Sequence, residues 1–180
     1  MGRDKALIEL NGRPLIEHVA STLCSVFERV IVASGGRSDY DFLGLESFGD
    51  LYKDCGPLGG IHSGLVHATT PAVFVLSCDM PFVSEELVRH IASFRTDAFV
   101  RIPSQDGQLQ PLCGWYEHRC LTEVVRHLEA NRLRVLDVLR DLPSTIIPIS
   151  ASLSLYRENL FTNFNTPADV AGNPAVTWKG

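Results

Sequence analysis

Ala72-Val73-Phe74-Val75-Leu76-Ser77-Cys78-Asp79-Met80-Pro81-Phe82 runs from five apolar residues into an acid and a proline. Its near-continuous apolar run, bounded by turn formers, reads as a strand buried on both faces, the kind found inside a parallel sheet. Asp79 follows at the carboxyl end of that strand, where open α/β sheets bind their ligands, and is therefore a candidate metal or phosphate-site residue. A turn or cap role competes with that reading, because Asp beside Pro is common in turns. Ser84, just ahead of Glu85-Glu86-Leu87-Val88, is the better helix cap and leaves Asp79 free of that task.

Upstream, Ala6–Leu10 followed by Asn11-Gly12 reads as an extended segment and a tight turn, with Pro14 in the first turn of a helix. Leu15, Val19, Leu23 and Val26 put one apolar stripe on that helix. Arg29–Ala33 is a strand, Asp41–Leu43 a short helical turn, and Gly56-Pro57-Leu58-Gly59-Gly60-Ile61 opens a helix that reaches His67. Strand and helix alternate through this half, the signature of a mostly parallel sheet with right-handed crossovers. After Arg95 the pattern changes: Ala98–Ile102 and Gln110–Tyr116 flank a Gln105-Asp106-Gly107 turn, an antiparallel excursion. A helix from about His118 to Glu129, the apolar segment Val135–Leu139 and a strand around Ile146–Ile149 follow. No repeat or linker divides the chain, so residues 1–180 read as one domain.

Composition narrows the function classes. Five scattered cysteines without a Cys-x-x-Cys pair argue against a disulfide framework and a zinc site, and point to reduced thiols in a cytoplasmic setting. A net charge of −5, with 16 basic residues spread along the chain, disfavours nucleic acid and favours a small-molecule partner. No apolar window is long enough for a membrane span, and Ala6 breaks a myristoylation signal. Walker, dinucleotide and nucleophile-elbow motifs are absent.

What remains is a set of polar positions at strand ends: Lys5, Asp50 and Asp79. Lys5, beside Arg3, suits phosphate oxygens or a solvated turn. The Gly56–Gly60 run permits close backbone approach to a flat base, or tight packing. Asn163 and Asn165 stand at alternate positions of an extended segment and point the same way, while Asn165 or Thr166 also suits the cap of a helix begun by Pro167.

Gly2-Arg3-Asp4-Lys5-Ala6-Leu7, Asn11-Gly12-Arg13-Pro14-Leu15, Asp50 with Gly56-Pro57-Leu58-Gly59-Gly60-Ile61, Cys78-Asp79-Met80-Pro81-Phe82 and Asn163-Phe164-Asn165-Thr166-Pro167 closely resemble, in order and spacing, the molybdenum cofactor guanylyltransferases. The resemblance covers nearly the whole chain. It implies a three-layer, Rossmann-like α/β nucleotidyltransferase that uses GTP and magnesium to place GMP on molybdopterin, releasing pyrophosphate. In family terms Lys5 neutralises the triphosphate, Asp50 binds the guanosine part and Asp79 holds magnesium. Gly56, Pro57 and Leu58 lie against guanine, Asn163 and Asn165 face the pterin, and molybdoenzymes or other cofactor-biosynthesis proteins are the implied protein partners. Lys5 and Asp79 are then the catalytic pair, with no acylating nucleophile needed, since the acceptor phosphate is itself the attacking group.

Two departures accompany the resemblance. Family members begin with a strand and a Leu-Ala-Gly-Gly loop that runs into Arg-Met-Gly, whereas this sequence opens at Met-Gly; the first strand and the amides that cradle a triphosphate are expected to be missing, from a start placed too far downstream. Two strand edges are then left unpaired and the activity of the chain as given is expected to suffer. Ala33 stands where the family has an asparagine, with Ser34 as the nearby hydroxyl. Two alternatives stay open: a nucleotidyltransferase using CTP, ATP or GTP with another phosphorylated acceptor, and a non-catalytic nucleotide- or pterin-binding protein.

Overall fold

A computed structural model describes residues 4–171. Asn11 and Gly12 both take positive φ (54° and 76°), which closes a tight hairpin between β1 (Glu9–Leu10) and β2 (Arg13–Pro14). Pro14 caps α1 (Leu15–Cys24), which buries Leu15, Ile16, Val19 and Ala20. The helix stops two residues short of the expected stripe, so Val26 packs from the loop beyond it. β3 (Ile31–Ala33) pairs in parallel with β4 (Glu46–Phe48), and Val32 lies opposite Ser47. Nothing in Glu46-Ser47-Phe48 marks a strand by hydrophobic pattern; pairing with β3 makes it one.

α2 (Gly56–His67) starts and ends where the sequence places it. β5 is Ala72–Leu76, and α3 (Glu85–Ser93) begins at Ser84, whose hydroxyl accepts from the Leu87 N–H at 3.3 Å. β6 (Val100–Gln105), β7 (Gln108–Leu109) and β8 (Cys113–Glu117) form the excursion, followed by α4 (Leu121–Glu129), α5 (Val135–Asp141), β9 (Ser144–Pro148) and α6 (Pro167–Ala171).

The large sheet has the order β5-β8-β6-β7, with β9 added in parallel to β6. β5 and β6 both run antiparallel to β8. The central sheet is therefore mixed rather than mostly parallel. The return strand of the excursion, β8, inserts between β5 and β6. Gly114 permits this, because a Cβ there stands 2.7 Å from the Arg101 carbonyl oxygen.

Layers cover both faces. Leu58, Ile61 and Leu65 of α2 join Val124 and Leu128 of α4 and Val138 and Leu139 of α5 against Val100, Ile102 and Tyr116 on one side. On the other, Leu87, Val88 and Ile91 of α3 pack with Cys113, Ile147, Ile149, Leu160 and Phe161. This is the three-layer α/β arrangement that the family resemblance implies.

β3 and β5 do not pair with each other: β3–β4 and the β5-containing sheet are separate among the described residues. Each strand has one bonded neighbour, so each presents a free edge, as the sequence leads one to expect. The free edges line a common cleft with Ile16, Val19 and Ala20 of α1 on one side and Gly60, Ile61 and Gly64 of α2 on the other. All five residues of β5 are consequently part-exposed despite an all-apolar sequence. Amide hydrogen exchange should separate the β5 amides into two alternating sets, one protected by β8 and one exchanging at loop-like rates. Uniform protection along β5 would show that its second edge is covered.

Candidate active site

The cleft between β3 and β5 has a volume of about 370 Å³ and is apolar in its depth, where Val73–Leu76 and Val30–Ala33 form the walls. Its polar groups gather at the carboxyl ends of these strands. Lys5, Asp50, Gly56, Pro57, Ser77 and Cys78 all line it there.

Asp79 sits in the turn after β5 and is 7 % exposed. Its backbone carbonyl accepts from the Phe164 N–H at 3.0 Å, and Phe164 is itself completely buried between Leu15 and Phe82. That bond fixes the turn against the carboxyl-terminal segment. Lys5, with a half-exposed side chain, donates to Asp79 Oδ2. Asp79 Oδ1 is buried and has no hydrogen-bond partner among the described residues. A desolvated carboxylate oxygen without a donor is costly, and it is a ready ligand for a cation.

Lys5 is carried on a three-residue 3-10 turn, Lys5–Leu7, that Asp4 caps by accepting from the Ala6 N–H at 3.1 Å. Ala6 is buried against Ile16 and Tyr40. The lysine thus leaves a turn that is fixed from both sides, and its ammonium reaches across the mouth of the cleft to the end of β5.

Asp50 lies on the opposite rim, between β4 and α2. Burial pushes its carboxyl group above the usual carboxylate value, opposed by the attraction of His62. His62, on the buried side of α2, is pushed the other way by burial, with Asp50 raising it. Asp50 Oδ1 and His62 Nδ1 are both buried without partners among the described residues, and Tyr52 packs edge-on against the His62 ring at 4.9 Å. The loop that carries Asp50 and Tyr52 approaches α2 closely because Gly59 has no side chain. A Cβ there stands 3.1 Å from the Tyr52 carbonyl oxygen.

Gly56 (φ +56°) and Pro57 are exposed on the first turn of α2 at the cleft mouth. Leu58 faces the other way: its side chain is fully buried in the core with Ile61 and Leu65. Only its backbone is left to meet a ligand. Asn163 and Asn165 flank the buried Phe164 and are both exposed, so the segment that clasps Asp79 turns its two amides outward. The cap of α6 is Thr166, which accepts from the Asp169 N–H at 3.3 Å while the Asp169 carboxylate accepts from the Asn165 and Thr166 N–H groups. Asn165 takes part through its backbone alone, and its amide side chain stays out of the cap.

Ala33 at the end of β3 is exposed, and the adjacent Ser34 hydroxyl is tied to Ser47 Oγ at 2.7 Å, within reach of the Phe48 carbonyl. The hydroxyl near the strand end is therefore committed within the β3–β4 pair. His62, Phe164 and the Asp4–Tyr40 contact were not visible in the sequence. A capping Asp just before a lysine was the one local signal available.

Cys78 lines the cleft, but burial and the neighbouring Asp79 carboxylate push its thiol up to about 11, which makes it a poor nucleophile. Among the described residues, one group of metal-ligand type comes together: Glu123, His127 and Asp141. It lies on α4 and the end of α5, outside the cleft, and Arg126 already supplies a cation to both carboxylates.

The family model described as the MobA-like NTP transferase domain matches residues 1–144. The chain belongs to this family. A molybdenum cofactor guanylyltransferase of Vibrio parahaemolyticus is 34 % identical over 173 residues, covering 94 % of this chain and 86 % of the relative. A probable molybdenum cofactor guanylyltransferase of Flavobacterium johnsoniae is 31 % identical over 161 residues, 89 % of this chain and 84 % of the relative. The crystal structure of molybdopterin-guanine dinucleotide biosynthesis protein A from Archaeoglobus fulgidus superposes with a TM-score of 0.81 at 26 % identity, covering 94 % of this chain and 88 % of that one. A 2-C-methyl-D-erythritol 4-phosphate cytidylyltransferase of Thermus thermophilus shares the fold at a TM-score of 0.69 and 17 % identity, over 93 % of this chain and 90 % of that one. The protein is accordingly a nucleotidyltransferase with the α/β fold of that family, and no helix among its described residues is long and apolar enough to cross a membrane.

Asp50 gives a stability test of the site. Its folded pKa is raised, so the folded protein binds this proton more tightly than the unfolded chain, and the charged carboxylate destabilises the fold at neutral pH. Asp50→Asn should raise the melting temperature at pH 7, with the gain fading as pH falls through the raised folded value towards 3.8. Thermal denaturation from pH 3 to 8 checks this. A variant less stable than wild type at pH 7 would show that Asp50 is held by bonds rather than stranded.

Proposed function

We propose that the protein transfers GMP from GTP to molybdopterin and releases pyrophosphate. The observation that carries this reading is the pairing of Lys5 with Asp79 at the carboxyl end of β5, with one Asp79 oxygen left without a partner. Membership of the MobA-like family and relatives named molybdenum cofactor guanylyltransferases supply the substrate class.

In this reading an oxygen of the molybdopterin phosphate attacks the α-phosphorus of GTP. The bond from that phosphorus to the bridging oxygen of the β-phosphate breaks, and the pyrophosphate leaves with the electron pair. The acceptor is its own nucleophile, so the protein's part is positioning and charge compensation. Lys5 turns from Asp79 to the triphosphate and offsets the charge that builds on the leaving pyrophosphate. Asp79, with a buried free oxygen, fits a magnesium ion, which takes only one or two carboxylates and fills its other positions with phosphate and water oxygens. Magnesium, when bound, supplies further charge neutralisation on the triphosphate. Asp50, Gly56, Pro57 and the Leu58 backbone meet the guanosine, and the outward-facing Asn163 and Asn165 meet the pterin.

Thermal stabilisation tests the nucleotide. Magnesium and GTP together should raise the melting temperature more than magnesium with CTP or ATP, because a ligand that binds the native state stabilises it by mass action. Asp79→Ala should remove the magnesium-dependent part. Lys5→Ala should lower kcat/KM by about 10²-fold, the scale of one lost charge-stabilising donor. A preference for CTP would contradict the guanylyl assignment, and metal dependence unchanged in Asp79→Ala would take Asp79 out of the site.

A further inference from the structure

Lys5 owes its place to a turn that cannot hold itself: three residues of 3-10 helix are too few to be stable without outside partners. The partners are specific. Asp4, whose carboxylate caps the turn through Ala6 N–H, also accepts from the Tyr40 hydroxyl at 2.6 Å and from Arg37 Nη2 at 2.6 Å. Arg37 donates in addition to the Tyr40 oxygen, and its guanidinium lies over the Tyr40 ring, 5.1 Å from its centre. The Tyr40 ring is 6 % exposed and packs on Ala6, the central residue of the turn. Both Arg37 and Tyr40 belong to the loop that follows β3, so this contact joins the two sides of the interrupted sheet at the cleft mouth.

We propose that Asp4, Tyr40 and Arg37 form a clasp that positions Lys5 for the triphosphate, a role that rests on the guanylyl-transfer reading for its purpose but not for its geometry. The clasp does two things. It fixes the direction in which the Lys5 side chain leaves the backbone, so that the ammonium meets Asp79. It also spends the Asp4 charge on Arg37 and Tyr40. A loose Asp4 carboxylate, adjacent in sequence to Lys5, would compete with Asp79 for the ammonium and repel an incoming triphosphate. Asp4, Tyr40 and Arg37 are positioning residues, since they reach the substrate only through Lys5. Burial, together with the hydrogen bond to Asp4, holds the Tyr40 phenol well above its ordinary value.

The accessibility of Lys5 to acetic anhydride, read peptide by peptide by mass spectrometry on the folded protein, tests this directly. Asp79→Asn supplies the reference for a freed lysine. Asp4→Ala should acetylate Lys5 about fivefold faster than wild type, the factor that loss of a side-chain cap takes from a turn. Tyr40→Phe keeps the ring in the core and removes only the hydroxyl; it should give a smaller rise, about twofold, and raise KM for GTP more than it lowers kcat. Wild-type Lys5 reactivity in Tyr40→Phe would overturn the clasp even if Asp4→Ala failed to fold. Magnesium-GTP should protect Lys5 in the wild type. Faster acetylation in the variants without that protection would support the clasp and contradict the triphosphate reading, so the two stand or fall separately.

Discussion

β3 and β5 face one another across an apolar cleft with no ladder of hydrogen bonds between them, and the rest of the molecule is arranged around that interruption. A sheet normally holds its halves together through its own backbone. Here the task passes to elements above and below: α2, which touches both β3 and β5, and the amino-terminal turn, which reaches Asp79 on one side and Tyr40 on the other. The Lys5–Asp79 pair is too exposed on the lysine side to add much stability, about 1 kcal/mol or less. Its value is in placement. The burial of Ala6, Ile16 and Tyr40 holds the turn in place, and the contacts of Asp4 with Tyr40 and Arg37 set where its charges lie.

The same interruption shapes the electrostatics. Buried polar groups are usually satisfied, yet Asp79 Oδ1, Asp50 Oδ1 and His62 Nδ1 are all buried and unpartnered among the described residues; Asp50 lines the cleft, Asp79 pairs with the cleft-lining Lys5, and His62 is coupled to Asp50. Each costs stability in the free protein. In the proposed reaction a nucleotide with its metal would answer two of the three: a cation for Asp79 and a donor for Asp50. A nucleotidyltransferase that uses no nucleophile of its own needs this kind of preset charge, because its contribution lies in meeting charge that develops on the phosphates.

Much of this was legible in the chain. The Asn11-Gly12 hairpin, the Ser84 cap and the span of α2 are local signals that the structure follows closely, and it follows the bounds of the strand Ala72–Leu76 but not its expected burial on both faces of a parallel sheet. The mixed sheet was not legible, since whether β8 lies beside β5 or at the edge is decided by long-range packing and by the close approach that Gly114 allows. β4 was missed because Glu46-Ser47-Phe48 has no pattern of its own. At the site, Lys5, Asp50 and Asp79 were visible as strand-end charges. The Leu58 side chain carries no local sign that its helical face belongs to the core, which leaves only its backbone for the guanine contact that the resemblance implies. Tyr40 and His62 gave no signal, because an aromatic residue in a weakly patterned loop and a histidine on a helix are far more often bland. Their meaning comes from Asp4 and Asp50, residues 36 and 12 positions away.

Whether metal and triphosphate meet at Asp79 can be read by titrating the isotope-labelled protein with manganese in the presence of GTP and following paramagnetic broadening of its amide signals. Broadening should begin at Cys78, Asp79, Phe164 and Lys5, and Asp79→Asn should abolish it while leaving the rest of the spectrum in place. Broadening centred instead on Glu123, His127 and Asp141, or unchanged in Asp79→Asn, would contradict the account.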